Sequence, residues 1–169
     1  RGRVAGRFLD LARRVACHRD TDRFDLLYRL LWRVTETPAI LADPLDPDVQ
    51  RAGRMAKQVS RDIHHMHAFV RFRAVASHPA DGDPRDDAGH SFVAYHRPDH
   101  HIVRDAAPFF RDRFRPMRWT ILTPDESASW DPDTGELAFG PGVVRDQPPT
   151  PDELESLWLT YYAATFNPA

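Results

Sequence analysis

Apolar residues change their period once along this chain, and that change limits what it can fold into. Up to His67 they recur every three or four residues, the repeat of an amphipathic helix. From Phe69 to Val75 they alternate with arginines, the repeat of a half-buried strand. Helices are therefore expected over about Ala5–Cys17 and Arg23–Val34, in a short segment from Thr37-Pro38, and from Asp46-Pro47 to about His67. Phe8, Leu9, Leu11, Ala12 and Val15 give the first its apolar surface. Asp22 is placed to cap the second, whose Phe24, Leu27, Tyr28, Leu31 and Val34 fall at helical spacing, with Leu26 and Leu30 widening the stripe. The longest helix buries Val49, Ala52, Ala56, Val59, Ile63 and Met66.

After the change, strands are expected over Phe69–Val75, Ser91–His96, Arg118–Thr123, Ser127–Trp130 and Glu136–Phe139. In the first of these Val70, Phe72 and Ala74 share one face. Asp131 to Gly135 is a hairpin signal. A helix starts near His100 and is interrupted or restarted at Pro108. Thr150, Pro151 and Glu153 form the start of a last helix, which turns Leu154, Leu157, Trp158 and Tyr161 to the core and ends at Asn167-Pro168. The expected fold is one α+β domain over residues 1–169. A helical N-terminal half packs on an antiparallel sheet of about four or five strands, closed by the C-terminal helix.

Composition narrows the functional classes. The formal net charge is -2, so any nucleic-acid binding must come from a local patch. Cys17 is the one cysteine, which excludes an intrachain disulfide and any multi-cysteine zinc or iron–sulfur site. A reducing compartment, the cytoplasm, is the simplest fit. No apolar run approaches the roughly 20 residues of a membrane span, and no secretory signal pattern opens the chain. The first residue is Arg1 and the last four are Phe166-Asn167-Pro168-Ala169, so both ends read as cuts within a longer protein.

One local patch stands out. Between Val49 and Arg73 lie Arg51, Arg54, Lys57, Arg61, Arg71 and Arg73 against a single acid, Asp62, a balance of 6 − 1 = +5. Such a face suits phosphates. It equally suits a solvated helix face paired with the Asp-rich stretches 43–48 and 81–87. Histidines cluster at His64, His65 and His67, and again at His96, His100 and His101 around Asp99. Imidazole and carboxylate suit transition metals, but no His-Glu-x-x-His pattern is present and no metal site is assigned. His64, Asp99 and His100 are the candidates for acid–base chemistry, with capping and packing as the plainer roles. The acids at 81–87 lack calcium-loop spacing. Trp119, Trp130, Tyr161 and Tyr162 could stack on bases, yet their spacing fits a core. There is no Gly-rich phosphate loop and no nucleophile elbow.

Four segments resemble a known family: Arg61-Asp62-Ile63-His64-His65-Met66-His67-Ala68-Phe69-Val70-Arg71-Phe72, Arg97-Pro98-Asp99-His100-His101-Ile102-Val103, Arg118-Trp119-Thr120-Ile121-Leu122-Thr123 and Leu157-Trp158-Leu159-Thr160-Tyr161-Tyr162. Together they are similar to an uncharacterised bacterial family known as probable DNA metabolism or DNA repair proteins. Its members stand beside a radical-SAM partner or form the N-terminal part of a fusion with a uracil-DNA glycosylase superfamily domain. The resemblance runs from about Phe8 to Ala169, and residues 166–169 are similar to the junction of the fused form. It implies a pathway and carries over no active site. The chain lacks the Gly-Glu-Ala-Pro-Gly stretch of that superfamily and the Cys-x3-Cys-x2-Cys triplet of radical-SAM enzymes. Uracil excision and any iron–sulfur cluster would thus belong to a fused or partner domain, and no cofactor is expected here. The leading expectation is a non-catalytic accessory domain that engages DNA through Arg54, Lys57, Arg61, Arg71 and Arg73. Its rivals are a metal- or His-dependent enzyme acting on nucleic acid or nucleotides, and a protein-interaction module.

Overall fold

The computed structural model describes residues 6–76, 90–145 and 149–165. The chain divides into two compact units, Arg1–His65 with Asp99–Ile102, and Met66–Pro98 with Val103–Ala169. The architecture is α+β. Helices fill the N-terminal half, and a five-stranded sheet and a C-terminal helix follow.

The first unit holds α1 (Gly6–Ala16), α2 (Arg23–Glu36), a short 3-10 helix (Pro38–Ala42) and most of α3 (Pro47–Phe69). Its core is built from Phe8, Val15, Leu26, Leu30, Val34, Leu41, Ala52 and Met55. Pro47 sits where its missing N–H costs nothing. The carboxylate of Asp46 accepts the N–H groups of Asp48 and Val49 at 3.0 Å each and so starts α3. The Arg33 guanidinium, helped by those N–H groups, holds this buried carboxyl below the usual carboxylate range.

Two expectations fail in α2. Asp22 makes no side-chain cap; its N–H instead donates to Asp20 Oδ1 at 2.8 Å. The buried residues are Leu26, Leu30 and Val34, whereas Phe24, Tyr28 and Leu31 are exposed. Arg29 and Arg33 accompany the rotation. On the flank of α2 they reach Asp48 and Asp46 at the start of α3, while the 26–30–34 edge packs in the core.

The second unit carries β1 (Arg73–Ala76), β2 (His90–Tyr95), β3 (Trp119–Leu122), β4 (Glu126–Asp131) and β5 (Glu136–Pro141), ordered 1-2-3-4-5. The sheet is mixed, not antiparallel as expected, because β2 and β3 pair in parallel. A parallel neighbour needs a long crossover, and α4 (Val103–Arg113) lies in that connection. Pro108 neither breaks nor restarts α4, which gives up one bond to the Arg104 carbonyl and buries Val103, Ala106, Ala107 and Phe110. The first strand is shorter than its pattern suggested: α3 runs to Phe69 and β1 begins at Arg73. Val70 is buried and Phe72 half-buried, but within β1 it is Val75 that is buried and Ala74 that is exposed, so the alternation counted from the helix end does not continue into the strand.

The β4–β5 turn is the one anticipated. Gly135 takes φ +70° and its N–H donates to the Asp131 carbonyl at 2.9 Å. In α5 (Pro151–Thr165), Thr150 N–H donates to Glu153 Oε2 at 2.7 Å and Glu153 N–H to Thr150 Oγ1 at 3.4 Å, a capping box. Leu154, Trp158 and Tyr161 pack with Val75, Val93 and Leu122. The Ser77–Gly89 loop and the Asn167-Pro168 stop lie outside the described residues. Among those described, no helix is long and apolar enough to cross a membrane.

Candidate functional site

The outer side of α3 sorts the cations of the first unit. Arg51 Nη2 reaches Asp20 at 2.9 Å and Asp22 at 3.5 Å. Arg29 and Arg33 of α2 are likewise taken up by Asp46 and Asp48. Arg54, Lys57 and Arg61 are exposed and form no ion pair among the described residues. At 3.6 residues per turn these three fall within about 60° of one another, on a row about 10 Å long. Asp62, the acid between them and Arg71, points away from the row and is buried. The face is therefore more cationic than composition implies.

Arg71 and Arg73 belong to the second unit. The Arg71 guanidinium donates to the carbonyls of Ala68 at 2.7 Å and Val70 at 3.0 Å, which fixes it on the end of α3. Arg73 opens β1 and is exposed.

Beside the row lies a polar cluster that sequence reasoning only half anticipated. Asp62 Oδ2 accepts the His100 backbone N–H at 2.8 Å, and the carbonyl of Cys17 accepts that of His101 at 2.9 Å. These bonds hold the 99–102 turn in the first unit, which is why α4 starts at Val103 and not near His100. The His18 and His100 rings lie 4.2 Å apart, tilted by 32°. His18 Nδ1 accepts the Asp20 N–H at 3.1 Å, so its Nε2 carries the proton and donates to Gln58 Oε1 at 2.9 Å. His100 Nδ1 accepts the Arg19 N–H at 3.3 Å, which places its proton on Nε2. Arg19 Nε donates to the Asp99 carbonyl at 2.9 Å. Burial, and then the neighbouring His18, lower the His100 pKa from its ordinary 6.5. His100 is thus held towards its neutral form, donating from Nε2, beside a cationic face.

Of the three acid–base candidates, His100 is central to this cluster and Asp99 contributes its backbone carbonyl. His64 is exposed on α3, two residues beyond Asp62; Asp62 is the α3 side chain that reaches the turn. His18, Arg19 and Gln58 had no motif to mark them, though the polar run Cys17 to Asp22 between two helices was the trace of the first two. Among the described residues no group of three or more His, Cys, Asp or Glu side chains could hold a metal ion.

A family model described as a domain of unknown function, DUF4130, matches residues 21–169. The chain belongs to the DUF4130 family. No curated protein and no solved structure matches it. The DUF4130 match takes in α2, α3, the 99–102 turn and the whole sheet.

Proposed function

We propose that this domain holds a nucleic-acid backbone on the outer face of α3, as a DNA-repair accessory module. It would present that strand to a uracil-DNA glycosylase superfamily enzyme fused to it or acting beside it, with a radical-SAM protein as a further partner. One observation carries the reading: Arg29, Arg33 and Arg51 are neutralised by aspartates, while Arg54, Lys57 and Arg61 are not. A helix needs only a polar outer face to stay in solution, and a row of open cations without acids attracts an anion. The repair context comes from the sequence resemblance.

The test is charge reversal at Arg54, Lys57 and Arg61 in a folded protein, with binding followed against salt. Each phosphate left without its cation should flatten the slope of log affinity against log salt by about 0.7–0.9. An unchanged affinity in the folded triple variant, or no binding at low salt, would sink the proposal. The His18–His100 pair supports a second reading, a His-dependent step on the bound strand. Its signature is turnover that His100→Gln abolishes while binding persists.

A further inference from the structure

We infer that the bound strand is single-stranded, with its bases stacked on an aromatic row along α2; this rests on the backbone-binding reading above. Phe24, Tyr28 and Trp32 are 56%, 70% and 64% exposed. They stand four residues apart, so they share one face of α2 at steps of about 6 Å. Leu26, Leu30 and Val34 on the other side already supply the core. None of the three rings belongs to that core, and an exposed apolar strip of this kind marks a binding surface.

Charge and chemistry select the occupant. The Arg23 guanidinium lies 4.3 Å from the centroid of the Phe24 ring. Just before Arg23, Asp20 and Asp22 bind Arg51 of α3, and Arg54 is the next turn of that helix. The Phe24 end of the aromatic row is therefore tied, through these ion pairs, to the turn of α3 before the cationic row. A ligand following both must offer flat apolar faces and then a run of negative charge. A single strand does so, because its bases are free to stack on rings while its phosphates meet cations. A duplex keeps its base faces inside its own stack. An ordinary apolar protein helix would meet the rings and gain nothing from Arg54, Lys57 and Arg61.

The experiment compares a labelled oligothymidylate of about 12 nucleotides, within the usual span of such sites, with a duplex of equal length, on the whole chain at low salt. The single strand should bind at least tenfold tighter. Trp32→Ser should weaken it about tenfold, as loss of one stacked base is worth about 1–3 kcal/mol, and should leave the salt slope unchanged. Phe24→Ser with Tyr28→Ser, in a protein whose circular dichroism is unaltered, should weaken it further. Equal binding of both forms, or Trp32→Ser without effect, overturns the stacking while R54E/K57E/R61E still tests the backbone reading separately. If neither form binds and Trp32→Ser instead abolishes concentration-dependent self-association, both readings fall and the face is an interface between copies.

Discussion

Helices α2 and α5 look alike as sequence, each a run of aromatic and leucine residues at helical spacing, and they use those residues in opposite ways. In α5 the spaced set Leu154, Trp158 and Tyr161 is the buried set. In α2 the spaced set splits: Val34 joins Leu26 and Leu30 in the core with Leu27 packed against it, while Phe24, Tyr28 and Leu31 lie in solvent with Trp32. The difference is that α2 is apolar on two sides. One side closes a core, and the other is surplus to folding, which leaves it available for a ligand. The most direct way to break this comparison is to truncate one tryptophan in each helix. Trp158→Ala should cost about 3–5 kcal/mol, the range for a large core side chain. Trp32→Ala should stay within about 0.5 kcal/mol, the range for exposed sites. Urea unfolding of both variants reads this out, and a similar loss in each would mean that the α2 row is structural.

The same pair of helices shows what the sequence could reveal. Periodicity finds a helix and its apolar positions, so α5, with apolar residues on one side and a capping box at its start, was legible down to its core. For α2 the pattern named both apolar sides but could not rank them. The choice is a tertiary fact: the 26–30–34 edge packs in one cluster with Phe8, Val15, Ala52 and Met55, and Arg29 and Arg33 on the flank reach aspartates more than ten residues away. For β1 the strand was found but its start was not, since alternation has no fixed phase until the strand's first residue is known. The parallel β2–β3 pairing was recoverable in principle from the helix between those strands. Of the candidate site, the cationic row was visible because helix geometry alone groups Arg54, Lys57 and Arg61. The His18–His100–Asp62 cluster was not, because it joins a loop, a helix and a turn that are distant in sequence.

An intermediate effect sharpens the comparison by testing what turns α2. Asp46 accepts two N–H groups at the start of α3 and pairs with Arg33. Its carboxyl is held below the ordinary range, chiefly by Arg33, so its contribution is present above the unfolded carboxylate value and is lost as pH falls through the lower, folded one. Asp46→Ala should lower the unfolding midpoint by less than Trp158→Ala and more than Trp32→Ala. It should also raise the mobility of α2, seen as faster amide exchange at Leu26, Leu30 and Val34. Unchanged exchange there would mean that core packing alone orients the helix.

The smallest expected effect separates the surroundings of the two helices by pH. His100 lies against His18, and its Nδ1 accepts the Arg19 N–H, a bond that protonation of Nδ1 destroys. Asp62 and Asp99 favour the charged ring, whereas burial, His18 and Arg19 oppose it, and the opposing effects prevail. The folded pKa therefore lies below the unfolded value of 6.5, and the folded state binds fewer protons between the two. Stability from this source is complete above about pH 6.5 and declines as pH falls from there through the folded value. The α5 capping box responds only at lower pH, because Glu153 is a carboxyl held below its ordinary range, first by the Thr150 N–H. Mild acidification from pH 7 to 5 should thus loosen the Cys17–Asp22 loop and leave α5 intact. NMR titration should place the His100 midpoint below 6.5, with Arg19 and His101 amide exchange rising through it and Leu154 exchange constant. His100→Gln should remove that pH dependence; a His100 midpoint above 6.5 would reverse the sign and show that Asp62 and Asp99 control the ring.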